Sequence, residues 1–535
     1  MRDLEERLRR GRPPEAEPPP GTGERLWAAL QAEPRGHGRA RSPEGWRRTF
    51  GGRGGRLLGV ALLALAGGGA VAYATGVIGG DRGEQAAAAA PPAEWGPPTV
   101  LSGGHGGPPR PRLGIDGAGG VVVAWSRGGA VEASSRPAGG AWGRPVRLSP
   151  EGVPAGDPEV AVAGDGSALA VWQERRDGRV ERRVLRLPDG SLAGVITRRV
   201  GGRYVLVARR RPAGGAWEAP VDVSEAGGNR RDAAEARVVA TADGFIVAWA
   251  RADRVETRRV ALEGTLDEVR AVGEAGEGQP LQLALAADSG GEAVLTWGRR
   301  VAQQEPAGYQ APVYSVEAVR GDRDGWGDPV VIAGDMVQAP QPAAAIGRGG
   351  EATVAYLSTN LGLPSHIAAA RADAAGEWGA PVRLSSTARS AYAPNVAIDG
   401  DGRAVAHWSV GAATQYSVAD DSVWSAPVGH GSGGLVGQYS RAQPALASDG
   451  AGRLLGAFAR HAGIEVRDWP RGGPFGRPQV VTDGTGWQFG FGGIAASPSG
   501  AAAVVIVGFG RDGSRGRGWD VRVAVRDPEP RGERG

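Results

Sequence analysis

The chain is 535 residues long, with 92 Gly and 39 Pro but no Cys, so disulfides, thiolate metal sites and Cys nucleophiles are excluded. All 62 basic residues are Arg, and residues 1–56 hold 13 of them against 8 acidic residues, which leaves 49 Arg against 50 acids from residue 57 onward. The larger part is therefore neutral and lacks the net positive field of a nucleic-acid binder.

The first 52 residues read as a cytoplasmic tail, mostly disordered, with two short helical stretches. DLEERLRRG (3–11) is charged throughout, and TGERLWAALQAE (22–33) starts at a possible Thr22 N-cap and puts Leu26, Trp27 and Leu30 on one face. PPEAEPPP between them is a spacer. The layout resembles the tails of membrane-anchored actinobacterial proteins, some of them anti-sigma-like, which implies a cytoplasmic partner.

LLGVALLALAGGGAVAYATGVI (57–78) carries no charge. At about 1.5 Å per residue it reaches about 33 Å, enough to cross the ~30 Å hydrocarbon core as one helix placed at 53–79. Arg39, Arg41, Arg47, Arg48, Arg53 and Arg56 precede it, whereas Asp81, Arg82 and Glu84 follow. The positive-inside rule then sets the N-terminus in the cytoplasm and everything after the anchor outside the cell. The alternative is a cleaved signal peptide, for which AVAYA (70–74) offers small-residue sites, but 56 residues is long for an n-region. A linker, 80–91, follows.

From residue 92 two clauses recur. One is AGGAWGRPVRLS (138–149), repeated as AGGAWEAPVDVS (213–224) and AAGEWGAPVRLS (374–385), with looser echoes at 93–102, 324–333 and 421–430. The other is PRLGIDGAGGVVVAW (111–125), repeated six times in the form apolar stretch, Gly/Asp turn, apolar stretch, aromatic. Alternation around such a turn signals a β-hairpin. The closing aromatics Trp125, Trp172, Trp249, Trp297, Tyr356, Trp408 and Phe458 lie 47, 77, 48, 59, 52 and 50 residues apart. Four-stranded units at this spacing predict an all-β propeller over 92–527, followed by a disordered end, 528–535. The 77-residue step carries an extra hairpin, placed at 190–210.

GIAASPSGAAAVVIVGFG (493–510) and WDVRVAVRD (519–527) supply three strands of a last unit without its Trp-x-x-Pro strand, and EWGPPTVLS (94–102) is an orphan of that kind. Pairing them closes the ring and removes an exposed edge. Eight blades are expected, with seven as the alternative. Trp142, Trp217, Trp326, Trp378 and Trp424 are then expected to fill outer strands, and Trp125, Trp172, Trp249, Trp297 and Trp408 the second strands. Pro suits an outer strand, where a missing N–H costs no ladder bond.

In this grammar residues 92–527 resemble bacterial surface propellers loosely called sialidase-like. The Asp-box of sialidases, Ser/Thr-x-Asp-x-Gly-x-Thr-Trp, does not occur: DGAGG, DGDGR and DGAGR hold Asp in the turn without the Thr-Trp. There is no Lys for a Walker A loop or Schiff base, and neither G-x-S-x-G nor H-E-x-x-H is present. His407 reads as packed, and DGDG (399–402) as a turn rather than a calcium loop. No cofactor, metal or catalytic residue is expected.

The expected site is the channel mouth formed where each outer strand passes to the next innermost strand. Arg110, Asp157, Gln279, Gln341 and Gln443 each precede a Pro, which is expected to hold them extended and aimed. Arg231, Asp232, Gln338, Tyr392, Tyr439 and Arg441 lie in nearby connections. GWQFGFGG (486–493) reads as an aromatic loop carrying Trp487, Phe489 and Phe491. Polar groups converging beside aromatics suit a sugar or peptide pocket. The expected function is binding or scaffolding of a glycan, cell-wall fragment or protein at the cell surface. The alternatives are a divergent glycoside hydrolase, with Asp157 and Asp232 as its carboxylates, or transmembrane signalling through the tail.

Overall fold

The computed structural model describes residues 94–528 apart from short stretches, the longest being 226–232, 305–310 and 433–444. The tail, segment 57–78 and the linker lie outside the described residues, as do 529–535. Among the described residues no helix is long and apolar enough to cross a membrane.

Eight antiparallel sheets follow one another along the chain, seven of four strands and one, 391–432, whose outer edge is split into two short strands. Blade 1 covers 112–147, blade 2 155–222, blade 3 233–272, blade 4 280–336, blade 5 343–383, blade 6 391–432, blade 7 445–482 and blade 8 488–526. Strands are lettered A to D from the inside outward. Blade 8 takes its strand D from the other end of the chain: Thr99–His105 pairs with Gly516–Arg526, Thr99 opposite Val523. The innermost strand of each blade touches that of the next, and blade 8 touches blade 1. This is a closed eight-bladed propeller.

The blades belong to one compact unit, Pro91–Glu181 with Thr197–Gly535. The remaining stretch, Arg182–Ile196, groups apart from it. The extra hairpin lies earlier than expected. Arg179–Arg186 and Leu192–Val200 pair only with each other, whereas Arg203–Arg211 pairs with Ala168–Arg176 and is strand C of blade 2. Its run VLVA buries all four side chains. That two-faced burial, rather than position after the turn, marks it as blade.

The part of strand B up to its closing aromatic is mostly apolar, as in VVVAW at 121–125, because both its faces are covered. Val122 and Ala124 pack toward blade 2, while Val121, Val123 and Trp125 pack toward blade 8. The eight apolar clusters are the eight blade interfaces. This geometry explains the Trp-x-x-Pro clause. Its Trp does not fill its own outer strand; it plugs the gap to the preceding blade. Trp142 packs between blades 8 and 1, Trp217 between 1 and 2, Trp326 between 3 and 4. Trp378, Trp424 and Trp95 do the same further round. The two interfaces without a clause Trp use Leu266 and Phe475 at the same place in the repeat. Trp326 also donates its Nε1–H to Thr257 Oγ1 of blade 3 at 2.9 Å. The strand-B Trp residues are the deeper set, with Trp125, Trp172, Trp249, Trp297 and Trp408 all 0 % exposed.

The rest of the clause is structural too. Pro145, Pro220 and Pro381 precede outer strands only two residues long, which limits the free edge. The closing Ser residues 149, 224 and 385 are buried and accept the N–H of Val131, Leu206 and Ile367 on strand C. At the A–B turns Asp116 Oδ1 accepts the N–H of Ala118 and Gly120, and Asp399 Oδ1 those of Asp401 and Arg403.

Arginines then clip blade to blade. Arg210, Arg259, Arg320 and Arg371, near the ends of the C strands of blades 2 to 5, each donate to turn carbonyls of the following blade: Leu262, Asp322, Asp373 and Asp421. At the seam, carboxylates replace carbonyls. Arg526 meets Asp468 at 2.9 Å, and Arg136 grips Asp527 with both terminal nitrogens at 2.7 and 2.8 Å.

Candidate functional site

Strand A is the strand that faces the channel, and in most blades it is bulged. Its register slips between Gly156 and Glu159, Ala234 and Arg237, Leu281 and Ala284, Tyr392 and Asn395, and Phe491 and Gly493. An extra residue in one strand must leave the pleat, and in blades 2, 3, 4 and 6 it turns left-handed: Asp157, Glu235, Gln282 and Ala393 have φ between 48° and 56°, and Gln341, just before strand A of blade 5, has φ 47°. The extended backbone expected before Pro is thus overturned at Asp157 and Gln341. The bulge outweighs the proline bias because it lets the chain keep its outward ladder while turning one residue toward the neighbouring blade.

These residues stitch the inner strands together. Arg110 meets Asp157 at 2.5 Å, and Glu159 is held by Arg112 at 3.0 Å and Arg237 at 3.3 Å. Glu235 accepts the N–H of Gln282, Gln282 Oε1 that of Gln341 at 2.8 Å, and Asn395 Oδ1 that of Leu446 at 3.1 Å. Around the ring, charged pairs serve blades 1 to 3 and side-chain amides serve blades 4 to 7.

On the amide side the channel opens into a cavity of about 640 Å³, lined by the inner strands of blades 3 to 7. Its polar lining is Glu235, Arg237, Gln282, Gln341 and Asn395, and its apolar lining includes Pro342, Pro394, Leu283 and Leu446. One Glu and one Arg leave the lining without net charge.

Of the expected site residues, Gln341 lines this cavity. Arg110 and Asp157 lie on the blade 1–2 side and are paired with each other, with side chains 70 % and 54 % exposed. Gln279 is exposed three positions before the bulge residue Gln282, and its carbonyl accepts the Arg300 N–H at 3.2 Å. Gln338 Oε1 accepts the hydroxyls of Thr359 and Ser365 at 3.2 and 3.4 Å, and the Tyr392 hydroxyl donates to the Gly411 carbonyl. Arg231, Asp232, Tyr439, Arg441, Gln443 and Trp487 lie outside the described residues. Phe489 and Phe491 are not in a loop: Gln488–Ala496 is strand A of blade 8, with Phe489 opposite Gly508.

Glu235, Arg237, Gln282 and Asn395 do not precede a Pro, so the pre-proline pattern does not pick them out. Glu235, Gln282, Gln341 and Ala393 all fall six residues before the A–B turn residue, at Thr241, Asp288, Gly347 and Asp399. They share that spacing but not a residue type.

Several carboxylates are buried elsewhere. Glu132, Glu174 and Glu256 accept the Nε1–H of Trp125, Trp172 and Trp249 at 3.1, 3.0 and 2.9 Å. Glu174, Glu256 and Glu317 also pair with Arg176, Arg251 and Arg299 at 3.1, 2.9 and 2.6 Å. Such carboxylates are committed to holding strands B and C. His407, 0 % exposed, packs on Phe458 with ring centroids 4.9 Å apart, as its apolar strand suggested.

No family model and no curated protein matches this chain. Among solved structures, a Dyadobacter fermentans protein of unknown function aligns with 13 % identity and a TM-score of 0.35, covering 72 % of this chain and 97 % of its own. The NanB sialidase of Streptococcus pneumoniae aligns with 8 % identity and a TM-score of 0.36 over 58 % and 67 % of the two chains. An α-L-arabinanase of Penicillium chrysogenum aligns with 12 % identity and a TM-score of 0.32 over 52 % and 89 %. At these values the likeness carries no argument about this chain.

Proposed function

We propose that this protein is a ligand-binding module, held outside the cell by the apolar segment 57–78, that takes a small ligand into its channel between blades 3 and 7. The observation that carries the reading is the cavity of about 640 Å³, lined by polar and apolar residues together, to which left-handed residues of several blades contribute. It falls within the about 300–1,000 Å³ usual for small-molecule sites.

Binding is favoured over glycoside hydrolysis by the state of the carboxylates. Hydrolysis uses an acid and a second carboxylate about 5–10 Å apart across the sugar. Asp157 is tied to Arg110, Glu159 lies between two arginines, and one Glu235 oxygen is occupied by the Gln282 N–H. Among the described residues these three leave no free pair; Asp232 lies outside the described residues.

The test is binding of the purified full chain to an array of glycans and peptidoglycan fragments, beside Gln341→Trp, which fills the cavity. Loss of the bound ligand in the variant supports the channel reading; retention refutes it. The sidedness is tested separately, because the chain has no Cys. Ala138→Cys in the exposed C–D turn of blade 1 reacts with an impermeant maleimide on intact cells, whereas Ser42→Cys does not. The reverse pattern overturns the placement.

A further inference from the structure

We infer that the channel site selects neutral, amide-bearing sugars, that is, carbohydrates carrying acetamido groups. The inference rests on the channel reading above and adds the ligand class. A backbone N–H can only donate, so the amide atom that faces it is the oxygen. Gln282 Oε1 faces the Gln341 N–H at 2.8 Å and Asn395 Oδ1 faces the Leu446 N–H at 3.1 Å. The NH₂ groups of both side chains are thereby turned away from the strands, and among the described residues neither has a protein partner. Neighbouring blades have in effect locked the polarity of two amides that would otherwise flip.

The cavity wall is therefore rich in donors. Four N–H bonds come from Gln282 and Asn395, and Arg237 adds the nitrogens not used on Glu159 and the Ala236 carbonyl. The Gln341 side chain, which has no hydrogen bond among the described residues, supplies either polarity. Among the charged side chains of the lining, the second oxygen of Glu235 is an acceptor.

A hydroxyl group gives and takes a hydrogen bond, so a plain hexose set against a donor wall leaves its own O–H bonds unserved. A carbonyl oxygen only accepts and suits such a wall. A carboxylate oxygen also only accepts, but a lining with one Glu and one Arg offers it no net attraction. The acetamido group suits the neighbouring Glu235, Gln282 and Gln341–Pro342: a carbonyl for the Gln282 amide, an N–H for Glu235 and a methyl for Pro342. An extended peptide shares the carbonyl chemistry, but it fits a groove along one strand edge better than a cavity ringed by five blades.

The experiment uses Gln282→Glu and Asn395→Asp in the full chain. Each keeps the oxygen that receives the neighbouring N–H and replaces the NH₂ donor by a carboxylate oxygen, so the blade stitching survives while the wall changes polarity. Calorimetric titrations use N-acetylglucosamine tetramer, its deacetylated counterpart, glucose tetramer and an Ala-rich tetrapeptide, with thermal melting as the fold control. The expected result is binding of the N-acetylated tetramer alone, weakened at least tenfold by either variant at unchanged melting temperature. Equal binding of glucose tetramer or of the peptide, still weakened by the variants, overturns the acetamido assignment and leaves the channel reading standing. Binding untouched by both variants, or none to a folded protein, overturns the acetamido assignment and the channel reading together.

Discussion

Truncating one interface plug tests the account of the Trp-x-x-Pro clause. Trp326 packs on the cluster between blades 3 and 4 and donates to Thr257 at 2.9 Å, so Trp326→Ala removes both apolar filling and a cross-blade hydrogen bond. A Trp buries about 150–250 Å² when inside. For a partly buried ring, about 150 Å² at about 25 cal/mol/Å² gives roughly 4 kcal/mol as an upper bound. The hydrogen bond adds about 1 kcal/mol. The retained methyl and partial collapse of the site bring the expected loss to about 3 kcal/mol. Trp326→Leu should cost about half of that, because blade 3 uses Leu266 at the equivalent place. Thr257→Val should cost about 1 kcal/mol alone and nothing further when Trp326 is already Ala. Urea unfolding of the four chains, followed by far-ultraviolet circular dichroism, gives the midpoints. A loss below about 0.5 kcal/mol for Trp326→Ala, or equal losses for Ala and Leu, would refute the plug reading and make the clause a feature of the outer edge only.

The seam supplies two more tests. The Arg136 guanidinium holds the Asp527 carboxyl below its usual value. That pair therefore stabilises the fold fully above the unfolded carboxylate value of about 4, and its contribution fades as pH falls through the lower folded value. Asp527 is half exposed, so Asp527→Asn should cost about 0.5–1 kcal/mol at pH 7 and progressively less as pH falls below about 4 in thermal melts; a pH-independent cost would contradict the ion pair. Deleting residues 1–106 removes the closing strand and exposes the edge of Gly516–Arg526. The product should self-associate on size-exclusion chromatography and be cut within blade 8 by limited proteolysis, whereas a monomer as resistant as the parent would show that the ring does not need the strand.

How much was legible follows from where the information lies. Blade count and closure are written in local grammar: hairpin turns such as IDGAGG at 115–120 and the orphan EWGPP at 94–98. The misplaced hairpin shows the limit of that grammar. Strand C of blade 2 and the extra strands before it share β-rich composition, and only pairing with Ala168–Arg176 separates them. The candidate site was less legible. A bulge shifts the register of pairing without leaving a residue-type signature: Asp157, Glu235, Gln282, Gln341 and Ala393 share a backbone conformation but no side-chain chemistry.

By itself, then, the sequence determined the all-β class, the number of blades and the strand that closes the ring, because period-two alternation and turn chemistry act between neighbours in the chain. Tertiary structure decided what each side chain does. Trp142 became a plug between blades 8 and 1 rather than the filler of its own strand, because it is the apolar face of the preceding blade in the ring, blade 8, hundreds of residues away in sequence, that covers it. Gln282 and Asn395 became oriented donors because the backbone N–H groups of Gln341 and Leu446, 59 and 51 residues further on, claimed their oxygens.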